Sequence, residues 1–353
     1  MSRHVLEIAQ RLSLRTPQRE ALARLASLVE GERVALSLAR GAASEARSGE
    51  SSRPPPADPG VLASAEARVA AAVPGFTSFE RDFPSLCFAL AAGVGKTRLT
   101  GAFMAYLHRV HGVRRFFVLA PNLTICNKLK ADFSLGSAKY VLAGLAEFAT
   151  QPPKLIHGEN YETSQLNRYR ADRTLFEEVH INVFNISKFN RDATDGKTGV
   201  ARMRRLSETL GESYFDYLRA LPDLVLMMDE SHRYRGDAGV KALNELRPLL
   251  GLELTATPHV ETGKKTEPFK NVVYAYGLFE AMRDGFVKEP AVATRKDFDA
   301  KAHDAEELER IKLEDSVRLH EEVKGRLRAY ADRTGLPRVK PFILVIARDT
   351  DHA

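Results

Sequence analysis

The chain has 353 residues, 44% of them hydrophobic and 28% charged, and its net charge of +6 is a mild basic excess. This composition excludes a largely disordered chain, and the length predicts two domains or one large domain with appendages. Neither cysteine, Cys87 nor Cys126, has metal-ligand spacing, and no apolar run reaches the roughly 18 residues of a membrane helix. We therefore expect a cytoplasmic protein with no membrane partner, whose basic surface suits a polyanion without requiring one.

The start of the chain is predicted to be helical, with a connector behind it. Apolar residues recur at helical period over 4–12 and 17–30, and a threonine–proline pair opens the second stretch as a cap and first turn. Residues 41–60 are rich in Ser, Gly and Pro, which is typical of a flexible linker. An alanine-rich helix is predicted near 61–73.

From residue 84 the pattern changes to short apolar runs separated by helical stretches. Runs of this kind are typical of parallel strands buried on both faces, so the sequence predicts an α/β fold with a doubly wound, mainly parallel sheet. The runs are PSLCFAL, RFFVLA, VHINVFNI, DLVLMMD and GLELTA. A long charged helix is predicted over roughly 303–334, and a further strand begins in KPFILVIARDTDHA.

The stretch LAAGVGKTRLTG follows the first predicted strand and opens a helix, which is the setting of a phosphate-binding loop. Gly93 and Gly95 would let backbone N–H groups converge on phosphates at the positive end of the helix. Lys96 would reach the terminal phosphates, and the hydroxyl of Thr97 would ligate Mg²⁺. Leu90 stands where such loops carry their first glycine, so a coincidental tight turn is the competing interpretation.

A second buried run ends in two carboxylates, in DLVLMMDESH. Asp229 could hold Mg²⁺ and Glu230 could activate the attacking water, which are the two tasks of a phosphoryl-transfer site. Capping of a helix by Asp229 and Ser231 is the alternative. A third run, LELTATPH, ends in Thr255 and Thr257, for which an ordinary turn is the alternative.

Taken together and in this order, GVGKT, DESH and TATP resemble motifs I, II and III of superfamily 2 helicases. The closer resemblance is to the helicase (restriction) subunit of type III restriction enzymes and to related DEAD/DEAH-like helicases. FFVLAPNLTICNKLKADF, INVFNISKFNRD and VVYAYGLFEAMRDGFVKEPAVATR are similar to segments of that family. The likeness extends from about residue 75 to the end.

This resemblance implies a RecA-like P-loop NTPase domain with a helical N-terminal region. The implied divisions are a helical region over 1–40, a linker over 41–60, a first RecA-like ATP-binding domain over 61–290, a helical connector over 291–340, and the first strand of a second RecA-like domain over 341–353.

The resemblance also assigns a nucleotide site with ATP and Mg²⁺ as cofactors. The ATP-binding loop would comprise Gly93, Val94, Gly95, Lys96, Thr97 and Arg98. Asp229 and Thr97 would hold the metal, Glu230 would be the catalytic carboxylate, and His232 would sense the nucleotide and communicate with Thr255 and Thr257. An exposed loop histidine is the alternative for His232.

Other segments of the resemblance imply contacts with nucleic acid and with the base of ATP. The predicted nucleic-acid residues are Asn122, Lys128, Asn185, Lys188 and Arg191, with phosphate pairing that would be sensitive to salt. Lys128 has a solvated helix face as an equal alternative. Gln18, in RTPQREAL, faintly resembles an adenine-reading glutamine, although an ordinary exposed helix glutamine is the interpretation that the sequence favours.

Two departures from the family shape the functional expectation. Ala92 stands where the family commonly has threonine, and the later motifs, including the arginines that complete the ATP site, do not follow. We therefore expect an ATP hydrolase of weak activity, completed by further domains or subunits and acting on DNA in preference to RNA. A non-catalytic nucleic-acid-binding or scaffold module with a vestigial ATP site is the alternative, whereas a small-molecule kinase leaves TATP unexplained.

Overall fold

The computed structural model describes residues 2–31, 59–161, 178–185, 206–207, 212–262, 265–289, 292–296 and 298–346. The chain divides into two compact units, Met1–Glu289 and Pro290–Ala353. None of the described helices combines the length and the apolar character that crossing a membrane requires.

The first unit is built on a seven-stranded sheet in which every neighbouring pair of strands is parallel. Its strands are β1 (Ser85–Leu90), β2 (Arg115–Ala120), β3 (Lys154–His157), β4 (His180–Asn185), β7 (Leu224–Asp229), β8 (Leu250–Thr255) and β11 (Val272–Tyr276). Their order across the sheet is β11-β1-β8-β7-β2-β4-β3. Two small antiparallel pairs join β5 (Leu206–Ser207) to β6 (Glu212–Ser213), and β9 (His259–Thr262) to β10 (Lys265–Pro268).

Helices connect and cover the strands. The helices of the first unit are α1 (Arg3–Arg11), α2 (Thr16–Gly31), α3 (Pro59–Ala72), α4 (Lys96–His111), α5 (Leu123–Phe133), α6 (Ala146–Thr150), α7 (Tyr214–Arg219), α8 (Asp237–Glu245) and α9 (Leu278–Arg283). Helix α4 follows β1 directly, and nine consecutive residues of it are buried, from Leu99 to Leu107. Both α1 and α2 pack against α4, so the N-terminal helices share the core of the first unit.

The predicted RecA-like α/β class is confirmed, and the five predicted strands are β1, β2, β4, β7 and β8. The predicted helices are α1, α2, α3 and the long helix described below, each within two residues of its expected bounds. The sequence missed β3 and β11, which form the two edges of the sheet. Strand β3 (KLIH) contains only two consecutive apolar residues, whereas β11 (VVYAY) is an apolar run that the sequence prediction left unassigned, and both strands are only partly buried. The linker residues 41–58 lie outside the described residues.

The second unit is dominated by the 30-residue helix α10 (Ala305–Thr334). Asp304 caps its first turn by accepting a hydrogen bond from the Glu307 amide at 2.8 Å, and Gly335 ends it in the left-handed region at φ 70°. The strand predicted at 341–353 is not observed over 341–346, where the backbone pairs with no other strand. A strand requires a hydrogen-bonded neighbour, and the described part of this unit contains none.

Candidate functional site

The strand order brings the three predicted motifs to one edge of the sheet. Strand β8 pairs with β1 on one side and with β7 on the other. Because the three strands are parallel, the glycine loop after β1, the carboxylates after β7 and the threonines after β8 lie side by side at their carboxyl ends. The three motifs are far apart in the sequence. They come together in the structure because β8 lies between β1 and β7 in the sheet.

The loop after β1 has the backbone conformation that glycine allows. Gly93 has φ 83° and Gly95 has φ 99°, both in the left-handed region, and α4 begins immediately afterwards at Lys96. A Cβ at position 95 would lie 2.5 Å from Nε2 of Gln18, so a side chain there would displace the Gln18 amide. Val94 is buried and can contribute only its backbone to a ligand. Leu90, at the mismatched position, is the last residue of β1 and packs in the core.

Lys96 and Glu230 form an ion pair that joins the loop to the acidic motif. Nζ of Lys96 lies 2.7 Å from Oε1 of Glu230, and both side chains keep part of their surface exposed. Glu230 has φ 52° and ψ 53°, a left-handed conformation that is uncommon for a residue with a side chain. Strained backbone of this kind clusters at functional sites, where the surrounding structure has to hold it in place.

Asp229 ends β7 as a half-buried carboxylate. Burial raises the pKa of Asp229, Lys96 opposes that shift, and the charge of Glu230 adds to it. A divalent cation would favour the ionised form of such a group, and oxygen ligands of this type suit Mg²⁺. Thr97 lies half-buried in the first turn of α4, so the residues at this edge fit a phosphate-bound cation.

His232 connects the acidic motif to the threonine motif. Its Nδ1 atom lies 3.0 Å from Oγ1 of Thr255 and 3.2 Å from Oγ1 of Thr257, and 3.6 Å from Oε2 of Glu230. The amide of Thr257 donates to Oγ1 of Thr255 at 3.0 Å, which holds the turn after β8. Burial lowers the pKa of His232, and the charge of Glu230 opposes this shift only in part. The lowered pKa favours the neutral imidazole. His232 therefore lies in a turn with defined partners on the threonine motif, with 29% of its side chain exposed, and its role as a nucleotide sensor stays a prediction.

The alternative of a helix capped by Asp229 and Ser231 is also wrong. Residues Ser231–Tyr234 form a single 3₁₀ turn whose cap position is Glu230, with no side-chain capping bond, and Ser231 Oγ has no partner among the described residues. The turn is held instead from its far end, because the Tyr234 hydroxyl donates to the carbonyl of Leu119 at 3.1 Å. The next helix, α8, starts only at Asp237.

A buried charged cluster behind the site was missed by the sequence reasoning. At its centre is Glu253 in β8, which is 0% exposed. Its carboxylate accepts hydrogen bonds from Ser85 Oγ at 2.7 Å, Arg235 Nη2 at 2.7 Å, Asn271 Nδ2 at 3.0 Å and Arg81 Nε at 3.1 Å. Arg235 also donates to Glu80 at 2.6 Å and lies 3.7 Å from the ring centre of Phe269. A lone glutamate in the apolar run GLELTA is the signal that predicts a buried partner for it.

The predicted nucleic-acid residues are not equally accessible. Lys128 is exposed on α5 and lies close enough to Asp229 to lower the pKa of that carboxyl. Asn122 is exposed and caps α5, since its Oδ1 accepts from the Ile125 amide at 2.9 Å. Asn185 is only 5% exposed, so a direct side-chain contact with nucleic acid does not fit this structure. Lys188 and Arg191 lie outside the described residues.

Two further residues predicted to bind nucleotide contact the N-terminal helices and the loop. Gln18 is 2% exposed, so its interpretation as an exposed helix glutamine is wrong. Its amide is surrounded by the first turn of α2 and by the loop, to which it donates a hydrogen bond at Gly95. Arg98 directs Nη1 to the carbonyl of Leu12 at 3.2 Å, on the turn between α1 and α2. Whether either residue contacts a nucleotide stays a prediction.

A parallel RecA-like sheet with these motifs on adjacent strands defines a helicase-like ATP-binding motor domain. The family model described as "Type III restriction enzyme, res subunit" matches residues 11–260 of the chain. The chain belongs to this family.

Comparison with solved structures and with curated proteins adds the following. The chain is similar to the Sulfolobus solfataricus SWI2/SNF2 ATPase core, solved in complex with dsDNA, at 16% sequence identity and a TM-score of 0.29. That similarity covers 49% of this chain and 28% of the solved chain. No curated protein matches.

Proposed function

We propose that this chain is an ATP hydrolase that couples phosphoryl transfer to movement on nucleic acid, with DNA favoured over RNA. The observation that supports it best is the continuous line of contacts from Lys96 through Glu230 and His232 to Thr255. Such a line links the group that would hold the terminal phosphates to the strand end that would report on nucleic acid. Membership of the family described as "Type III restriction enzyme, res subunit" favours DNA.

The proposed nucleotide lies against the loop after β1. The backbone N–H groups between Gly93 and Lys96 and the positive end of α4 would receive the phosphates. When nucleotide binds, Lys96 would leave Glu230 and contact the terminal phosphates, because the phosphates carry more negative charge than one carboxylate and attract the ammonium group more strongly. That exchange leaves the Glu230 carboxylate available to orient a water molecule and to accept its proton.

Asp229 and Thr97 are the residues we propose as Mg²⁺ ligands. The cation, when bound, neutralises charge that develops on the phosphate oxygens. The half-buried position of Asp229 makes its charged form costly without a positive neighbour, and Lys96 supplies one until it moves to the phosphates. When nucleotide enters and Lys96 moves to the phosphates, Asp229 and Glu230 lose their positive neighbour. A bound metal ion would then replace that positive charge.

His232 is proposed to transmit the state of the nucleotide site. Its Nδ1 atom lies near both Glu230 and the pair of hydroxyls on Thr255 and Thr257. A shift of Glu230 toward water or phosphate would change the hydrogen bond at Nδ1 and with it the turn after β8. Because the threonine hydroxyls and Glu230 all lie near Nδ1, a neutral imidazole can either accept at this nitrogen from a threonine hydroxyl or donate from it, and a shift of Glu230 can change which of these it does.

We also propose that a second ATPase lobe, on this or another chain, completes the site. In the resembling helicases the arginines that stabilise the transferring phosphoryl group lie in a second RecA-like domain, and such a residue contributes roughly 10³ to 10⁵ in rate. Hydrolysis by the 353-residue chain alone is therefore expected to be slow. Lys128 is the described residue we propose for phosphate contacts, since it is cationic, exposed and close to the site.

The test is steady-state ATP hydrolysis with and without single-stranded DNA, double-stranded DNA and RNA. We expect hydrolysis that DNA stimulates and that Glu230→Gln reduces by about 10²-fold or more, since the amide cannot accept a proton. Glu309→Gln, at an exposed position of α10, is the matched control and should hydrolyse as the wild type. Binding of nucleic acid with neither binding nor hydrolysis of ATP would contradict the proposal and favour the non-catalytic module.

A further inference from the structure

The turn after β7 is attached to β8 at two points. One is the contact of His232 with Thr255, at the carboxyl end of the strand. The other is made by Arg235, the residue that follows the 3₁₀ turn, whose Nη2 atom donates to Oε2 of Glu253 at 2.7 Å. Glu253 and Thr255 are two residues apart on β8, so their side chains project from the same face of the sheet. The two contacts are therefore neighbouring links between the same two segments.

The two attachments differ in how firmly they are held. Glu253 is completely buried and the side chain of Arg235 almost completely, so their charges face each other out of water. Breaking such a pair leaves an uncompensated buried charge, which is strongly unfavourable. His232 keeps part of its side chain exposed, and the groups it meets at the end of β8 are neutral hydroxyls. The attachment through Arg235 is therefore fixed, whereas the contact of His232 can change.

Arg235 is also held by three further segments of the chain. Its Nη1 atom donates to Glu80 at 2.6 Å, its Nη2 atom donates to Oδ1 of Asn271 at 3.1 Å, and its guanidinium carbon lies 3.7 Å from the ring centre of Phe269. Glu80 precedes β1, Phe269 follows β10, and Asn271 precedes β11. A planar guanidinium can hold all of these partners at once, whereas the single ammonium group of a lysine cannot.

The turn that Arg235 fixes begins with strained backbone. Glu230 has a left-handed conformation at φ 52°, and so has Glu80 at φ 56°, whose carboxylate accepts from Arg235. Conformations of this kind persist only where the surrounding structure holds them. Tyr234 bonds to β2 and Arg235 bonds to β8, which are the two strands beside β7. The residues of the turn are therefore positioned from its far end.

We infer that Arg235 is a positioning residue, which sets the place of His232 against Thr255. Glu253 is its fixed partner on β8. When Glu230 moves with the nucleotide, the contact of His232 changes while Arg235 keeps the far end of the turn on β8. Without that attachment ATP would still bind, but hydrolysis would respond less to nucleic acid. This inference rests on the proposed function, because it presumes that the acidic and threonine motifs are coupled.

Arg235→Lys tests the inference in the full chain. The variant keeps a positive charge opposite Glu253 but lacks the fork that reaches Glu80 and the plane that stacks on Phe269. We expect ATP affinity within about twofold of the wild type and a fall of about fivefold or more in the stimulation of ATP hydrolysis by DNA. Calorimetry gives the affinity, and hydrolysis is measured where melting curves show each variant to be folded. Arg19→Lys, at an exposed position of α2, is the matched control and should behave as the wild type.

A double-mutant cycle with Thr255→Val distinguishes positioning from a general loss of stability. If Arg235 acts through the contact of His232 with Thr255, the double variant should lose no more DNA stimulation than Thr255→Val alone. A merely structural arginine would instead lower the melting temperature and leave the stimulation of the folded protein unchanged. Phe269→Leu keeps both ion pairs of Arg235, removes only the ring and should show a smaller loss in the same direction, so it serves as the test if Arg235→Lys does not fold.

Full DNA stimulation in the folded variants at Arg235 and Phe269, or additive losses in the double variant, would overturn the inference and leave the proposed function intact. A wild-type chain whose ATP hydrolysis does not respond to DNA would overturn the proposed function, and the inference with it.

Discussion

Nδ1 of His232 lies 3.0 Å from Oγ1 of Thr255, which joins the turn after β7 to the end of β8 across 23 residues of sequence. The same nitrogen lies 3.2 Å from Oγ1 of Thr257 and 3.6 Å from Oε2 of Glu230, so the acidic motif and the TATP motif meet at one atom. A displacement of Glu230 would therefore change the surroundings of the same nitrogen that contacts Thr255.

Thr255→Val should uncouple nucleic acid from ATP hydrolysis while nucleotide binding is retained. Valine keeps the shape of the strand residue and removes the hydroxyl that contacts His232. We expect ATP affinity within about twofold of wild type and at least a tenfold fall in DNA stimulation, with His232→Ala producing the same loss. The double variant should lose no more than either single one, because the residues act as a unit. Thr266→Val, exposed on β10, is the control, and additive losses would contradict the coupling.

Lys96→Ala should abolish Mg²⁺-dependent ATP binding without unfolding the protein. The ammonium group of Lys96 is the cation that we place on the terminal phosphates, and its contact in the structure is the partly exposed Glu230. Loss of a partly exposed ion pair has a small effect on stability. Binding is measured by calorimetry and folding by circular dichroism, beside the exposed Lys241→Ala as control. Unchanged ATP binding would remove Lys96 from the site.

Glu253 should make the stability of the first unit sensitive to acid. Burial alone would raise the pKa of Glu253, but Arg81 and Arg235 overcome that effect and lower it from 4.5 to about 2. A depressed pKa stabilises the fold fully above the unfolded value of 4.5 and loses its contribution as the pH falls toward 2. At neutral pH the contribution is about 3 kcal/mol.

Urea unfolding of wild type and Glu253→Gln between pH 2.5 and 7 measures this contribution. The free energy of unfolding of the variant should be about 3 kcal/mol lower at pH 7, and the gap should shrink as the pH falls below 4.5. Glu306→Gln, at an exposed position of α10, should show no such gap. A gap that stays constant with pH would show that the ionisation of Glu253 does not stabilise the fold.

Asn122 allows capping to be separated from nucleic-acid binding. Its Oδ1 caps α5 through the Ile125 amide, so Asn122→Ala should lower the free energy of unfolding by about 1 kcal/mol. Asn122→Asp preserves the cap and adds a negative charge at an exposed position. We expect wild-type stability and weaker DNA binding for this variant, measured by urea unfolding and fluorescence anisotropy. Undiminished DNA binding by Asn122→Asp would place the phosphates elsewhere.

Lys128→Ala should weaken nucleic-acid binding and reduce its dependence on salt. If the exposed ammonium group neutralises one phosphate, the slope of log K against log salt should become less steep by about one. Anisotropy titrations from low to moderate salt give this slope. Lys241→Ala is again a suitable comparison, and an unaltered slope in Lys128→Ala would indicate a solvated helix face.

The succession of elements was readable from the sequence because it depends on local patterns. Central strands such as β1 and β7 are continuous apolar runs, and α10 shows its cap and its charged surface directly. Strand β3 was missed because its sequence, KLIH, has only two consecutive apolar residues, whereas β11, VVYAY, is an apolar run that the sequence prediction left unassigned. Among the candidate site residues, those that follow strand ends were predicted, since parallel strands present their carboxyl ends to a shared edge.

Residues that act through distant partners were beyond such patterns. From the sequence, Gln18 resembled an exposed helix residue. The Gly95 carbonyl that accepts a hydrogen bond from its amide lies 77 positions away in the chain. Glu253 could be suspected of having a buried partner, but Arg81, 172 positions away, could not be named as one. Neither pairing leaves a period or a motif in the chain.

The sequence by itself determined the N-terminal helices, the long helix α10, the five central strands and the three motifs that follow β1, β7 and β8, because backbone preference and burial pattern act over a few residues. Only the tertiary structure decided that β8 lies between β1 and β7, and hence that His232 contacts Thr255 and that Lys96 pairs with Glu230. Strand order follows from how the whole set of apolar surfaces is buried at once, a property that no single segment contains.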